Sequence, residues 1–247
     1  MGSSGAVHAV AVTVGSAADD AAAGGDGRDP VHGSDRLSVA AAAEGLSAVL
    51  DGAGYFYAWS RSGLLASINH ELVMAVRQSV GRDASPTAGV IDSQSVKTTE
   101  SGGPRGYDAG KKIKGRKGHI VTDTEGHLVG VVVHDAGIQD RDGAPLVLKE
   151  IRYLYPWLRH VFADGGYAGD KLRTALHRIG KWSLEIVKRT DDISGFRVLP
   201  RRWVVERTLG WLGRCRRLAK DFEASIESAV AWVFVANIKL LTRKLAR

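Results

Sequence analysis

The chain has 247 residues, of which 44% are hydrophobic and 25% charged. These values exclude a wholly disordered, collagenous or disulfide-stapled protein, and a single cysteine, Cys215, excludes an internal disulfide and a thiolate zinc cluster. Lys and Arg together number 34 against 27 Asp and Glu, a net charge of +7. This balance makes a polyanion the first binding partner to consider.

The first 54 residues differ in composition from the rest. They hold two basic and seven acidic residues, fourteen Ala, ten Gly and no aromatic residue. The net charge is therefore −5 in this segment and +12 in the remainder. So few large apolar groups cannot offset the entropy lost on ordering. We expect residues 1–54 to be a mostly disordered, low-complexity segment with one short helix around residues 38–50.

No targeting or membrane-spanning segment is predicted. The longest late apolar run, residues 229–241, is too short to span a bilayer and contains Asn237 and Lys239. The expected location is therefore the cytoplasm, without a membrane partner.

Beyond residue 54 the pattern predicts alternating helices and strands. The first are a helix at 64–80, a strand at 90–92 and a glycine-rich basic loop at 102–118. A hairpin follows, with strands at 119–123 and 128–134 around a turn at 124–126. Then come a helix at 144–154, a strand at 161–163, a helix at 170–179, a strand at 184–187, and helices at 201–222 and 227–245. This order predicts an α/β fold, a mixed sheet covered by helices.

Three carboxylates occupy prominent places in this pattern. Asp92 and Asp164 each end an apolar strand, and the carboxyl ends of neighbouring strands converge on one edge of an open α/β sheet. Glu206 lies inside the predicted helix 201–222, beside its apolar stripe. Its own row contains Arg202, Arg217 and two glycines, a composition that suits close approach to phosphates.

Oxygen ligands without a Cys or His cluster favour hard cations such as Mg²⁺ or Mn²⁺. Two such ions about 4 Å apart can activate a water or sugar hydroxyl and stabilise the leaving oxygen of a phosphodiester. The same pattern would also arise if the Asp residues capped loops and Glu206 paired with Arg202. Spacing alone leaves both interpretations open.

Two basic clusters are candidates for phosphate contact rather than solvated surface, because one follows a glycine-rich segment and the other shares the helix of Glu206. The predicted DNA-binding residues are Lys111, Lys112, Lys114, Arg116, Lys117, Arg202, Arg214 and Arg217. Other polar and aromatic groups are expected to be structural: Trp203 and Trp211 in the core, His119 and His134 packed or on the surface, and Asp123, Asp135, Asp140 and Asp142 in turns, loops and helix starts.

Four blocks of the chain, in order, resemble the DDE transposases of bacterial insertion sequences, family five within the family-four superfamily. They are IDSQSVK at 91–97, GYDAGKKIKGRK at 106–117, ADGGY at 163–167 and RWVVERT at 202–208. The resemblance implies an RNase H-like catalytic domain at 85–247, preceded by a helical remnant at 55–84. It also implies that Asp92, Asp164 and Glu206 are the metal-binding triad of a two-metal Mg²⁺ or Mn²⁺ site.

The activity implied by the resemblance is hydrolysis at the ends of a mobile element, followed by attack of the 3′-hydroxyl on target DNA. Arg202 would orient Glu206 or contact the scissile phosphate. The implied partner is double-stranded DNA in the nucleoid, both element ends and target, with a homodimer on DNA as a further expectation.

Two departures from the family pattern keep alternatives open. Leu199 and Gly213 stand where the helix signature has Tyr and Lys, so that Arg214 or Arg217 would have to supply the missing charge. Residues 1–54 do not resemble the usual end-recognition region. One alternative is therefore a catalytically inactive or truncated DNA-binding remnant. The other is an RNase H-like structure-selective nuclease that cuts but does not join.

Overall fold

The structure, a computed structural model, describes residues 52–187 and 200–247. Residues 52–62 are helical and precede helices α1 (Leu64–Ser79), α2 (Asp140–Ile151), α3 (Asp170–Gly180), α4 (Pro200–Gly213) and α5 (Ile226–Leu245). The strands are β1 (Ala88–Lys97), β2 (Gly106–Asp108), β3 (Ile113–Asp123), β4 (Leu128–Asp135), β5 (His160–Ala163) and β6 (Ser183–Ile186). Within these ranges no helix is long and apolar enough to cross a membrane. The helix predicted at 38–50 lies outside the described residues, and the predicted domain boundaries stay predictions.

One mixed sheet organises the described part of the chain. Its order is β2–β3–β1–β5–β6, and β4 pairs with β3. Strand β3 is antiparallel to β1, β2 and β4, whereas β1, β5 and β6 run parallel to one another. Three antiparallel strands followed by parallel ones, with helices alongside, are consistent with an RNase H-like fold. The predicted fold class is confirmed.

Each face of the sheet buries its own set of helices, because successive side chains on a strand point to opposite faces. Ile91 and Val121 pack with apolar residues of α2 and α3 on what we call the α2/α3 face. Val90 and Phe162 pack with residues of α4 and α5 on the α4/α5 face. Helix α1 contacts both β4 and α5. The two-residue period of β1 therefore decides which of its polar side chains meets which helices.

Most of the predicted elements are confirmed within a few residues. The predicted helices at 64–80, 170–179 and 227–245 correspond to α1, α3 and α5, and the predicted hairpin corresponds to β3 and β4. Helix α2 begins at Asp140 rather than Ala144 and contains Pro145 in its second turn, where the proline has no N–H to donate to the carbonyl of Arg141.

The predicted loop at 102–118 is wrong, because it contains β2 and the first half of β3. Residues Gly115 to Asp123 pair with β1 from Lys97 to Gly89, which is all of β1 except its first residue. The glycine at 115 serves this pairing directly, since a Cβ there would collide with the backbone carbonyl of Val96. Glycine-rich, basic composition therefore marks a close backbone approach here rather than a loop.

The predicted helix at 201–222 is also wrong in length. Helix α4 ends at Gly213, and a short 3₁₀ turn at Arg216–Leu218 follows. The chain then runs beside the end of β1, where Asp221 N–H donates to Lys97 O at 2.9 Å and Thr99 N–H donates to Asp221 O at 3.0 Å. These hydrogen bonds to a distant strand replace the continuation of the helix.

Candidate active site

Asp92 and Asp164 lie level with each other on neighbouring parallel strands. The register of β1 and β5 pairs Val90 with Phe162, and two residues farther along each segment come Asp92 and Asp164. Asp164 follows the last residue of β5, and its backbone is still extended. Side chains two residues apart on a strand share a face, so both carboxylates lie on the α4/α5 face with Val90 and Phe162.

Glu206 reaches the same region from α4. The neighbouring Val205 is buried in the apolar cluster of the α4/α5 face, which leaves Glu206 at the margin of the buried side of the helix. One turn earlier, Arg202 Nη2 lies 3.1 Å from Glu206 Oε1 and 3.7 Å from Asp164 Oδ2. The structure therefore brings all three predicted carboxylates to one margin of the sheet, with Arg202 between two of them.

Asp92 is short of compensating positive charge. Burial, reinforced by the charge of Asp164, raises the pKa of Asp92 from 3.8 to about 6. The Ser93 N–H, which donates to Asp92 Oδ1 at 2.7 Å, and the cations Lys111 and Arg202 offset only part of this effect. A half-buried carboxylate in this condition would gain from a bound cation.

The donor set fits a divalent metal ion in ligand type and charge. Within the described residues, Asp92 Oδ2, Asp164 Oδ2 and Glu206 Oε2 accept no hydrogen bond, so each carboxylate keeps an oxygen for a ligand. As the side chains stand in residues 52–187 and 200–247, no three potential ligands come close enough to hold a metal ion. Arg202 separates Asp164 from Glu206, but the i,i+4 pair of Arg202 and Glu206 is worth only about 0.5 kcal/mol. Its displacement by a divalent cation therefore costs little.

Comparison with protein families decides what kind of domain this is. The family described as Transposase DDE domain matches residues 83–238, a span that contains all three carboxylates and Arg202. The chain belongs to this DDE transposase family. DDE transposase domains generally use divalent metal ions, in agreement with the donor set. The family number implied by the sequence resemblance stays a prediction.

A relative from Burkholderia cepacia supports the same assignment. It is described as a transposase for insertion sequence element IS402 and is 38% identical over 116 residues. The match covers 44% of this chain and 54% of the relative. This DDE transposase chain thus spans about half the length of the curated relative it matches.

A second polar cluster of the DDE domain lies on the other side of β1. Lys117 Nζ donates to Asp140 Oδ1 at 3.0 Å and lies 3.2 Å from Asp108 Oδ2. Ser93 Oγ donates to Asp140 Oδ1 at 2.8 Å, and Ser95 Oγ donates to Asp108 Oδ2 at 2.6 Å. Burial alone would raise the pKa of both carboxyls, but the hydrogen bonds and the Lys117 charge hold each pKa below its usual value.

Asp140 also approaches the site itself, which sequence reasoning did not anticipate. A Cβ at Gly166 would lie 3.1 Å from Asp164 Oδ1 and 3.4 Å from Asp140 Oδ2, so the two carboxylates flank the same glycine. The sequence pattern predicts a loop or helix start at Asp140, but not its bonds to Ser93 on β1 and Lys117 on β3. No local pattern around Asp140 carries that information, because the contacts join segments 23 and 47 residues away.

The basic block at 111–117 divides into exposed and buried cations. Lys111, Lys112 and Lys114 are exposed, and Lys111 Nζ donates to Ser93 O at 3.0 Å, next to Asp92. The sequence predicts that Arg116 and Lys117 contact DNA. The structure does not fit this prediction, because both side chains are buried. Arg116 pairs with Asp221 at 3.0 Å, and Lys117 is held by the two aspartates described above.

The basic residues of α4 and beyond are also separated. Arg214 is exposed just after α4. Arg217 lies beyond the helix, where its Nε donates to Glu223 Oε1 at 2.7 Å, so it does not share the helical row of Arg202 and Glu206. Trp203 is 38% exposed rather than in the core, because its ring stacks on the guanidinium of Arg207 at the surface.

Asp123, His119 and His134 are in the predicted structural roles, whereas Trp211 is half-buried and belongs to neither apolar cluster of the core. Asp123 anchors the hairpin turn by accepting from the backbone N–H groups of Glu125 and His127. His119 and His134 are buried with ring centroids 4.9 Å apart. Burial lowers the pKa of His119 to about 3, so this ring is neutral at physiological pH.

Proposed function

We propose that this chain is a DNA transposase that hydrolyses phosphodiester bonds at the ends of an insertion sequence and transfers the freed strand to target DNA. The observation that carries the proposal is the meeting of Asp92, Asp164 and Glu206 at one margin of the sheet inside a DDE transposase domain. The proposal includes double-stranded DNA as substrate, a homodimer on that DNA and a cytoplasmic, nucleoid-associated location.

Asp92, Asp164 and Glu206 would hold Mg²⁺ or Mn²⁺ in a two-ion site. Bound there, such ions would supply activation of the attacking water or 3′-hydroxyl and charge neutralisation at the leaving oxygen. Three carboxylates supply the negative charge that two dications beside a phosphate require. The raised pKa of Asp92 supports this role, because its ionised form lacks a full counter-charge within the protein.

Arg202 would change partners when DNA binds. Its pair with Glu206 is an exposed contact between residues one helical turn apart, and such pairs contribute little stability. Released from Glu206, the planar guanidinium can donate two hydrogen bonds to a phosphate. Arg202 thus keeps the two carboxylates in place before binding and holds the scissile phosphate afterwards.

Lys111 would hold the phosphate from the opposite side. Its ammonium is fixed near Asp92 by its hydrogen bond to Ser93 O, whereas Lys112 and Lys114 extend into solvent. These three exposed cations replace the five predicted from the sequence as the basic block that contacts the DNA backbone.

The test is Mg²⁺- or Mn²⁺-dependent cleavage and joining of a duplex that carries the element's end. Asp92→Asn and Glu206→Gln are each expected to lower the rates of both steps by about 100-fold or more, the scale of losing a group that stabilises transition-state charge. Glu71→Gln is the matched control, because Glu71 is exposed on α1, a helix that packs mainly on α5 and β4. It should cleave and join like the unmodified chain.

The outcomes separate the alternatives. Cleavage without joining would assign a structure-selective nuclease, and DNA binding without metal-dependent cleavage would assign an inactive remnant. Full cleavage by Asp92→Asn would refute the role of the triad.

A further inference from the structure

A second basic surface lies between α4 and α5. Along α5, Lys239 and Arg243 are four residues apart on one helix face, Lys244 follows Arg243, and the three line the same cavity as Trp211 and Arg214. Together they line an open cavity of about 380 Å³. We call it the Trp211 cleft. It contains none of the three carboxylates of the candidate active site.

The charge of this cleft is largely uncompensated. Arg214, Lys239 and Arg243 are exposed, and none of them pairs with a carboxylate within residues 52–187 and 200–247. The basic residues Arg116, Lys117 and Arg217 differ in this respect, because each has an acidic partner. Concentrated cations without counter-charge attract a polyanion.

One wall of the cleft is held rigidly. Lys244 Nζ donates to His127 Nε2 at 2.9 Å, and His127 Nδ1 donates to Asp123 Oδ2 at 2.9 Å. Asp123 is buried and also accepts from Arg77 Nη1 at 2.6 Å. Asp123 and Glu125 are the acidic groups whose charges act on Lys244, and both also have basic partners of their own. Lys244 is thus positioned by a network that reaches through β3 to α1.

A row of aromatic and basic side chains connects the cleft with the active site. The guanidinium carbon of Arg207 lies 4.7 Å from the ring centroid of Trp203 and 4.6 Å from that of Trp211. Arg207 also donates to Glu125 O at 2.8 Å, which ties the row to the β3–β4 turn. Trp203 and Arg207 directly follow Arg202 and Glu206 in the sequence, and Trp211 lies one turn farther along α4. The two rows are therefore neighbours on the helix surface.

We propose that the Trp211 cleft binds the sugar-phosphate backbone of duplex DNA beside the active site. Glu206 and Arg214 are eight residues apart, about 12 Å along the helix axis, which corresponds to about three to four base pairs of B-DNA. Lys239 and Arg243 are about 6 Å apart along α5, close to two base-pair steps. This assignment rests on the proposed function, because it takes the scissile phosphate to lie at Glu206.

The test measures how DNA affinity depends on salt. The double variant Lys239→Gln/Arg243→Gln is compared with Arg173→Gln/Arg178→Gln, which removes two exposed cations from α3 on the other face of the sheet. Both full-length variants lose the same charge. The probe is a fluorescently labelled duplex carrying the element's end, titrated by anisotropy in EDTA between 50 and 200 mM KCl, so that binding is measured without cleavage.

Loss of two phosphate contacts is expected to reduce the slope of log K against log salt by about 1.8 in the cleft variant. Over this range the unmodified chain should therefore lose about 12-fold more affinity than the cleft variant. The α3 variant should keep the original slope. At saturating DNA with Mg²⁺, the α3 variant should cleave at the original rate, because Arg173 and Arg178 belong neither to the active site nor to the cleft.

Equal slopes for the two variants would overturn the cleft assignment while leaving the proposed function intact, provided the unmodified chain binds and cleaves DNA. If the cleft variant kept the original salt slope but sedimented as a monomer where the unmodified chain is a dimer, the cleft would instead be a contact between copies of the chain. If the unmodified chain bound no duplex at all, both the assignment and the proposed function would fail.

Discussion

Replacing Arg116 by Met tests the distinction between a buried structural cation and a DNA contact. Arg116 is fully buried and donates to Asp221 Oδ2 at 3.0 Å, to Pro104 O at 2.8 Å and to Ala224 O at 3.2 Å. The substitution leaves the Asp221 carboxylate, whose side chain is 5% exposed, without its cation. Breaking a buried ion pair from one side costs about 3–5 kcal/mol of unfolding free energy, a large fraction of the 5–15 kcal/mol that stabilises a typical protein.

The assay is urea unfolding at pH 7, followed by far-ultraviolet circular dichroism. With a slope of about 2 kcal/mol per molar urea, the midpoint should fall by about 1.5–2.5 M. Lys114→Met, an exposed substitution two residues away on the same strand, should change stability by no more than about 0.5 kcal/mol. The double variant Arg116→Met/Asp221→Leu also removes the unpaired carboxylate. It should recover most of the lost unfolding free energy, because an apolar pair can replace a buried ion pair.

A loss below about 1 kcal/mol in Arg116→Met would contradict the structural role of Arg116. So would a variant that kept its stability but bound DNA with a reduced salt slope. Either result would return Arg116 to the exposed phosphate-binding block that the sequence pattern predicts.

Two further predictions concern β1 and its partner. Because folding raises the pKa of Asp92 from 3.8 to about 6, its contribution to stability is fully present below pH 3.8 and is lost as the pH rises through 6. In urea unfolding with EDTA at pH 8, the metal-free Asp92→Asn variant should therefore be about 2–3 kcal/mol more stable than the unmodified chain. The difference should shrink toward pH 4. Equal stability at pH 8 would contradict the partial burial of this carboxylate. Gly115→Ala should lower the free energy of unfolding by about 2 kcal/mol or more, because the new Cβ meets the Val96 carbonyl. Gly110→Ala is the matched control: a Cβ there has no atom nearer than 3.4 Å, so the free energy of unfolding should change far less.

Local pattern was sufficient where a short segment carries its own signal. The apolar runs before Asp92 and Asp164 identify two strands, and the helical spacing after Leu64 identifies α1. The placement of Asp92 beside Asp164 also follows from the sequence, because parallel strands of one sheet bring their carboxyl ends to a common edge. The pairing of Val90 with Phe162 confirms that these strands are neighbours.

Tertiary structure alone decided which basic residues are available to DNA. Lys114 and Arg116 are two residues apart in the same cationic run, yet Lys114 is exposed and Arg116 is buried. The carboxylate that accepts the Arg116 charge, Asp221, is 105 residues away. Composition shows that a charge is present. Whether that charge is exposed or buried depends on which distant partner the fold places beside it.

The same physical reason explains the two misjudged elements. Residues 106–117 have the glycine and lysine content of a loop, but eight of the twelve are strand, because β2 pairs with β3 and β3 pairs with β1. The helix of Glu206 stops at Gly213 because the following residues find hydrogen bonds at the end of β1, through Asp221. The sequence by itself determined the alternation of strands and helices and the carboxylates at the strand ends. Only the folded chain decided how far each element extends and which charges remain exposed, because both depend on contacts between segments far apart in the sequence.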